Sequence, residues 1–305
     1  MKSLRSLLFR QYHRIKETVR FYRHETVLPN YVPRGHFYSP LPDTAPELNA
    51  ISCSAALSLD SPFPGLDLNT TSQHDTLRGI LDLVSAFDWT DEPRPDRRFY
   101  LDQGYFKWAD GLSLFGMMRL NRPRRVIEVG SGFSSALMLD INDRFLERQT
   151  HFTFIEPYPD RLDLILRETD RAATRIITKP VQDIEPTLFD ELENNDFLFV
   201  DSSHVAKFGS DVNYLYFEIL PRLRPGVIIH MHDIYWPFEY PLQSIRDGIA
   251  WNEAYLLRAF LSFNTDFEIL FWAPYAAEKW KSEIRSRAPR FMQNTGASLW
   301  MRRMG

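Results

Sequence analysis

The 305-residue chain has one cysteine, Cys53, so it can form no disulfide within itself, and it has no thiol near any motif described below. It contains no apolar run approaching the ~20 residues needed to span a membrane. It also lacks a basic stripe: 36 Lys and Arg against 40 Asp and Glu leave a formal charge of −4. Nucleic acid is therefore not an expected partner, because its binding usually leaves a positive footprint. Internal repeats and low-complexity tracts are absent. The single cysteine fits a reducing compartment, and a cytoplasmic location is the expectation. What is present is enough sequence for one sizeable domain preceded by an extension.

The extension has two parts. Residues 1–28 read as a basic amphipathic helix, with Leu4, Leu8, Tyr12, Ile15, Val19 and Tyr22 on one face and Lys2, Arg5, Arg10, Arg14, Lys16, Arg20 and Arg23 around it. Such a helix either packs on the main domain or across a homodimer, or it makes peripheral membrane contact through residues 1–25 or serves as a targeting peptide. Arg5 and Arg10 interrupt its apolar core, which excludes a secretory signal. Residues 29–100, rich in Pro, Ser, Asp and Asn as far as Pro64, read as a wrap or lid, with residues 101–305 as the main domain.

The most informative stretch is Glu128-Val129-Gly130-Ser131-Gly132-Phe133-Ser134-Ser135, between a predicted strand opening at Arg124 and a predicted helix at Ala136. A strand, a Gly-rich turn and a helix N-terminus present backbone N–H groups to a ligand. Gly-x-Gly-x-x-Gly would place its third glycine at Ser135, which weakens a dinucleotide reading. Glu128, an acid aimed into the crevice, suits a cationic ligand better.

Further strands are predicted at His151–Ile155, 173–177, 196–200 and 227–229, alternating with helices at 159–171 and 212–223. That alternation means a parallel α/β sheet, with ligands at the carboxyl ends of its strands. Those ends carry Glu128, Glu156, Asp201, His232 and Asp233. A long helix from Leu242 to Phe263, a strand at 267–272 and a last strand at 297–302 complete the chain.

Glu128-x-Gly130-x-Gly132, with Ser134 where a third glycine is usual, resembles the first motif of the class I S-adenosylmethionine (SAM)-dependent methyltransferases. The order of the later segments, from about Asp110 to the C-terminus, resembles that family too. The resemblance implies a Rossmann-like seven-stranded sheet, mostly parallel with an antiparallel terminal strand. It also implies SAM held by Glu128, Gly130, Ser131, Gly132 and Ser134, its ribose by Glu156, and its adenine near Asp183. After the fourth strand stands Asp201-Ser202-Ser203-His204, not the Asn/Asp-Pro-Pro-aromatic motif of enzymes that methylate base nitrogens. A small-molecule acceptor is therefore expected.

Asp201-x-x-His204 is similar to the Asp-x-x-Lys segment of catechol O-methyltransferase-like enzymes, which puts His204 in the place of the general base and Asp201 beside it. The same resemblance carries a divalent metal onto Asp201, His232 and Asp233. Magnesium, manganese and iron are the candidates; magnesium prefers all-oxygen ligation, and a histidine in the set leans toward the others. His230 lies close enough in sequence to extend a two-histidine, one-carboxylate set. The aromatic loop Tyr235–Pro241 and Trp251, Asn252 and Glu253 are expected near the acceptor: a phenol, a sugar hydroxyl or a carboxylate. The competing readings are a metalloenzyme of hydroxylase type on the same fold, a non-catalytic interaction module and an NAD oxidoreductase.

Overall fold

The computed structural model describes residues 32, 34–36, 38–42, 59 and 63–305. The expected helix of residues 1–25, together with Phe37 and Cys53, lies outside the described residues. The chain divides into two compact units, Met1–Ala45 and Pro46–Gly305. In the first, the described residues form a tight turn: Ser39 N–H donates to His36 O, and Gly35 N–H donates to Leu41 O.

The second unit is built on seven strands: β1 (Arg125–Val129), β2 (His151–Ile155), β3 (Arg175–Ile177), β4 (Phe197–Val200), β5 (Ile228–Met231), β6 (Phe267–Trp272) and β7 (Leu299–Arg303). Their order is β3-β2-β1-β4-β5-β7-β6. β1 to β5 are parallel, and β7 is antiparallel to both β5 and β6. The chain leaves β1 toward one edge and returns to start β4 on the other side. The crevice of a parallel sheet opens at that reversal, beyond the carboxyl ends of β1 and β4.

Every residue of β4 and β5 is buried, because both faces of the sheet are covered. One core contains Val126, Phe197, Phe199, Ile228 and Trp300, with helices α1 (Thr70–Asp82), α2 (Trp108–Asn121) and α3 (Phe133–Phe145). The other contains Ile127, Val129, Leu198, Val200, Ile229 and Met231, with helix α4 (Glu253–Leu261). Strand parity decides what happens to Glu128: it alternates with Ile127 and Val129 and so points with Val126 into the helix-covered side.

Three expectations about helices are corrected. Within the expected wrap of 29–100, the described residues 63–100 contribute Phe63, Leu77, Ile80, Trp89 and Phe99 to the core, and α1 packs against α2 and β6. α1 was hidden because its buried face includes a polar residue, Gln73, whose side-chain oxygen accepts the Trp272 N–H of β6. The helix expected at 159–171 is two short ones, Asp160–Ile165 and Glu168–Ala173. The break lets Asp170 accept from Arg167 N–H and from the buried Arg98 guanidinium. The helix expected at 212–223 changes to a π-turn at Leu215–Ile219, just ahead of Pro221, which lacks an N–H and crowds the preceding turn.

The long helix expected at Leu242–Phe263 is also interrupted. It forms Leu242–Arg246, stops near Gly248 (φ 86°), and resumes as α4. Ala254, Leu257 and Leu261 form the buried face of α4, with Leu256 and Phe260 partly buried beside the same core. This interruption places Glu253, as described next.

Candidate functional site

At the end of β1 the backbone of Gly130 turns with φ 82°, and a Cβ on it would lie 1.8 Å from the carbonyl oxygen of Asp201. The glycine is required because the ends of β1 and β4 close on each other here, with Asp201 N–H donating to Val129 O at 2.9 Å. The following turn carries Ser131, whose N–H donates to Glu156 Oε2 at 3.1 Å, while Tyr158 N–H donates to Glu156 Oε1 at 2.8 Å. Two backbone groups thus hold the half-buried Glu156 carboxylate at the carboxyl end of β2. Burial raises its pKa above the ordinary value, against these two donors.

A cleft of about 480 Å³ opens beside it, lined among others by Gly130, Glu156, Tyr158, Gln182, Asp201 and Lys207. Of the residues expected to hold a cofactor, Gly130 and Glu156 line it, and Ser131 braces Glu156 from the adjoining turn. Glu128, Gly132, Ser134 and Asp183 do not line it. Glu128 is fully buried and accepts hydrogen bonds from the hydroxyls of Ser134 (2.5 Å) and Ser135, in the first turn of α3. Burial pushes its pKa up to about 8, although both hydroxyls favour the ionised form. The expected carboxylate facing a cation is therefore a buried brace for the turn. Of the adjacent pair Gln182 and Asp183, both exposed, Gln182 lines the cleft and Asp183 does not.

At the ends of β4 and β5 three side chains converge: one donor atom each from Asp201, His204 and Asp233 lies within 4.8 Å of the others. His204 Nε2 is 3.3 Å from Asp201 Oδ1 and 3.5 Å from Asp233 Oδ2. His204 and Asp233 both have left-handed backbones, with φ of 60° and 54°. Non-glycine residues adopt that conformation at a cost, and such positions concentrate at functional sites. Tyr235 O–H donates to Asp233 Oδ1 at 3.0 Å.

The far side of His204 is held by Glu253, which the sequence placed near the acceptor but did not pair with a histidine. Nδ1 lies 2.9 Å from Oε2 of Glu253, which is almost wholly buried. The interruption before α4 makes this possible. The backbone N–H groups of Asn252 and Glu253 both donate to His204 O, and the Asn252 side chain pairs with Ala206 N–H and O. The available signal was Gly248, a helix breaker, followed by Asn252 ahead of an amphipathic run. Burial lowers the His204 pKa, but Asp201 and Glu253 outweigh it and raise it well above the ordinary value. Burial raises the Asp201 pKa, and His232 and His204 more than reverse this, leaving it lowered.

His232, expected among metal ligands, does not join the convergent group. It is buried against Phe106 (ring centroids 5.2 Å) and His230 (5.6 Å). Burial lowers its pKa, while Asp201, Asp233 and Asp110 raise it further, for a net rise. His230 stacks on Phe199 at 3.8 Å, and burial holds its pKa well below the ordinary value. It is a core residue. Part of the aromatic loop is core as well: Phe238 and Tyr240 are buried, and the partly buried Trp236 packs with Phe238 on Trp272, at 5.1 and 4.4 Å. Tyr235 and Trp251 stay near the cluster, Trp251 edge-on to His204 at 4.7 Å. None of the described helices is long and apolar enough to cross a membrane.

A family model described as "Methyltransferase domain" matches residues 127–234, the span from β1 to just past β5 that carries both strand ends. An uncharacterized protein of Archaeoglobus fulgidus is 33% identical over 169 residues, covering 53% of this chain and 74% of that protein. Among solved structures, the chain is similar to an O-methyltransferase of Streptomyces achromogenes involved in tomaymycin synthesis, in complex with SAM. That match has 15% identity and a TM-score of 0.41, over 76% of this chain and 90% of that one. A methyltransferase of Podospora anserina bound to SAH matches with 14% identity and a TM-score of 0.42, over 80% and 99% of the two chains.

Proposed function

We propose that the chain is a class I SAM-dependent methyltransferase that transfers a methyl group from SAM to an oxygen of a small-molecule acceptor, a reading supported by the methyltransferase-domain match over residues 127–234 and by the order of the seven-stranded sheet. The observation that carries the oxygen acceptor is His204, gripped at Nδ1 by Glu253 and directing Nε2 toward Asp201 and Asp233 at the mouth of the crevice.

Among the residues lining the cleft, Glu156 would hold the ribose hydroxyls of SAM, Tyr158 and Gln182 would flank its adenine, and Asp201 would face its sulfonium. The reaction is an in-line displacement: the acceptor oxygen forms a bond to the methyl carbon as the carbon–sulfur bond breaks, leaving S-adenosylhomocysteine. Most of the acceleration comes from holding the three atoms in line. A hydroxyl acceptor must also lose its proton, which His204 Nε2 accepts. Glu253 fixes the ring orientation for that transfer, and Asp201 and Asp233 flank the receiving nitrogen. Asp201 is one of the two groups that hold the His204 pKa up, so a positive charge brought beside Asp201 would ease the imidazole toward its neutral form. Tyr235 and Trp251 are the aromatic surfaces left for a flat acceptor or a sugar face.

A second reading is favoured by the convergence of Asp201, His204 and Asp233 within 4.8 Å. One imidazole and two carboxylates fit a divalent cation of the manganese or iron type better than magnesium. These three residues would hold it, and when bound it would supply a positive charge that lowers the pKa of an acceptor hydroxyl. The experiment measures S-adenosylhomocysteine formation with a panel of phenols and sugars, in chelator and in added manganese. Turnover in chelator supports His204 as base, and turnover only with manganese supports the cation. Absence of any thermal shift with saturating S-adenosylhomocysteine would overturn the cofactor assignment shared by both.

A further inference from the structure

The cleft accounts for the nucleoside of SAM but not for its amino-acid end. The rim carries Glu156, Asp201 and Asp211, and Lys207 is the one cation among the lining residues. A carboxylate brought among those acids needs a cation of its own, beside the glycine turn. Gly130 lines the cleft, and Ser131 and Gly132 continue the turn beyond it.

Arg161 stands at that place. Its stem crosses Gly132 so closely that a Cβ there would lie 3.2 Å from Arg161 Cδ. Its guanidinium carbon sits 4.1 Å from the ring centroid of Tyr105, and that ring stacks with Phe133 at 6.0 Å, the first residue of α3. Gln103 fixes the Tyr105 backbone, accepting its N–H at 2.7 Å. A guanidinium held on an aromatic ring keeps its donors free in the ring plane and loses little freedom when it pairs. Among the described residues no carboxylate forms an ion pair with Arg161, whereas Arg171, on the next helical segment, is paired with Asp163. The charge of Arg161 nonetheless reaches Glu156 and Asp201, which places it at the crevice rather than on a remote surface.

We propose that Arg161, seated on Tyr105 and admitted by Gly132, is the anchor for the carboxylate at the amino-acid end of SAM. This rests on the cofactor reading above. It also gives Gly132 a reason distinct from that of Gly130: one lets two strand ends meet, the other lets a cation cross the turn.

The test compares two ligands by calorimetric titration. S-adenosylhomocysteine has the amino-acid end, and 5′-methylthioadenosine keeps the nucleoside and thioether without it. The proteins are the wild type, Arg161→Ala and Arg161→Met, the last keeping the stem over Gly132. Both variants are expected to bind S-adenosylhomocysteine roughly ten-fold or more weakly, the size of one lost charge-assisted hydrogen bond. Their affinity for methylthioadenosine should stay within about two-fold of wild type, since no bond to it is lost. Parallel losses for both ligands would overturn the proposal, because Arg161 would then merely shape the turn. Unchanged binding of both would overturn it as well. Failure of the wild type to bind S-adenosylhomocysteine at all would instead remove the cofactor reading on which it rests.

Discussion

The two ends of the crevice are built by different means. At the ends of β1 and β2, contacts are local and use the backbone: Ser131 and Tyr158 N–H groups grip Glu156, and Glu128 braces a turn only six and seven residues away. At the ends of β4 and β5, side chains from three separate segments meet, and His204 is held by Glu253, 49 residues further on. A locally built site tolerates the loss of one side chain better than a site assembled from distant parts. The two touch at one point, where Gly130 meets the Asp201 carbonyl.

The sharpest way to separate the ends is His204→Ala. Under the proposed function, turnover falls by roughly 10²–10⁴-fold while affinity for S-adenosylhomocysteine holds. Steady-state rates and calorimetric titration check both halves. Near-normal turnover moves the base elsewhere, and a matching loss of affinity means that the two ends do not act separately.

The scaffold under the cofactor end has its own buried linchpin. Arg98, with a side chain only 4% exposed, pairs with Asp140 at 2.9 Å and Asp170 at 2.5 Å, tying α3 to the helix after β2. Arg98→Met leaves two buried carboxylates without their cation, which should cost about 3–5 kcal/mol in denaturant unfolding. Burial raises the Asp170 pKa, but the hydrogen bonds from Arg98 and the Arg167 N–H, together with the charges of both arginines, outweigh it and the net shift is downward. The stability from this pair is therefore fully present above the unfolded carboxylate pKa near ~4, and is lost as pH falls through the lower folded value. The difference in stability between wild type and Arg98→Met should narrow on acidification through that window. A constant difference would mean that Asp170 is not the group responsible.

This contrast also explains what the sequence revealed. β2 and β6 were legible to the residue, because an apolar run between polar turns is a local signal. The glycine turn and Glu156 were legible for the same reason. Glu253 was expected near the acceptor, but its pairing with His204 was not legible, since it depends on a helix interruption that pays for itself only through contacts with His204 O and Ala206. Nor was the exclusion of His232 from the convergent group, since its ring packs against Phe106, more than a hundred residues away in sequence, and His230. α1 escaped for a related reason: the partner that satisfies Gln73 is Trp272, 199 residues away.

Glu156→Ala tests the locally built end. Removing the carboxylate takes away the expected ribose acceptor and leaves two backbone N–H groups beside the cleft to find water. A loss of about 1.5–3 kcal/mol in S-adenosylhomocysteine binding is expected, with little effect on unfolding. Unchanged affinity would reject Glu156 as the ribose acceptor.

Glu128→Gln should do least, and it asks whether the first acid of the motif touches ligand at all. The side chain is buried, with a pKa near 8, and both oxygens accept hydroxyls of α3. At neutral pH it is mostly uncharged, so an amide changes little in charge. The amide oxygen still accepts one serine hydroxyl, and the other can rotate to accept from the amide N–H. Unfolding should shift by no more than about 1 kcal/mol, the size of one rearranged neutral hydrogen bond. Binding of S-adenosylhomocysteine should stay within about two-fold of wild type, since no charge facing the ligand is removed. A large loss of affinity in a folded Glu128→Gln protein would put an ionised Glu128 back at the ligand, and the division between a braced turn and a working crevice would have to be redrawn.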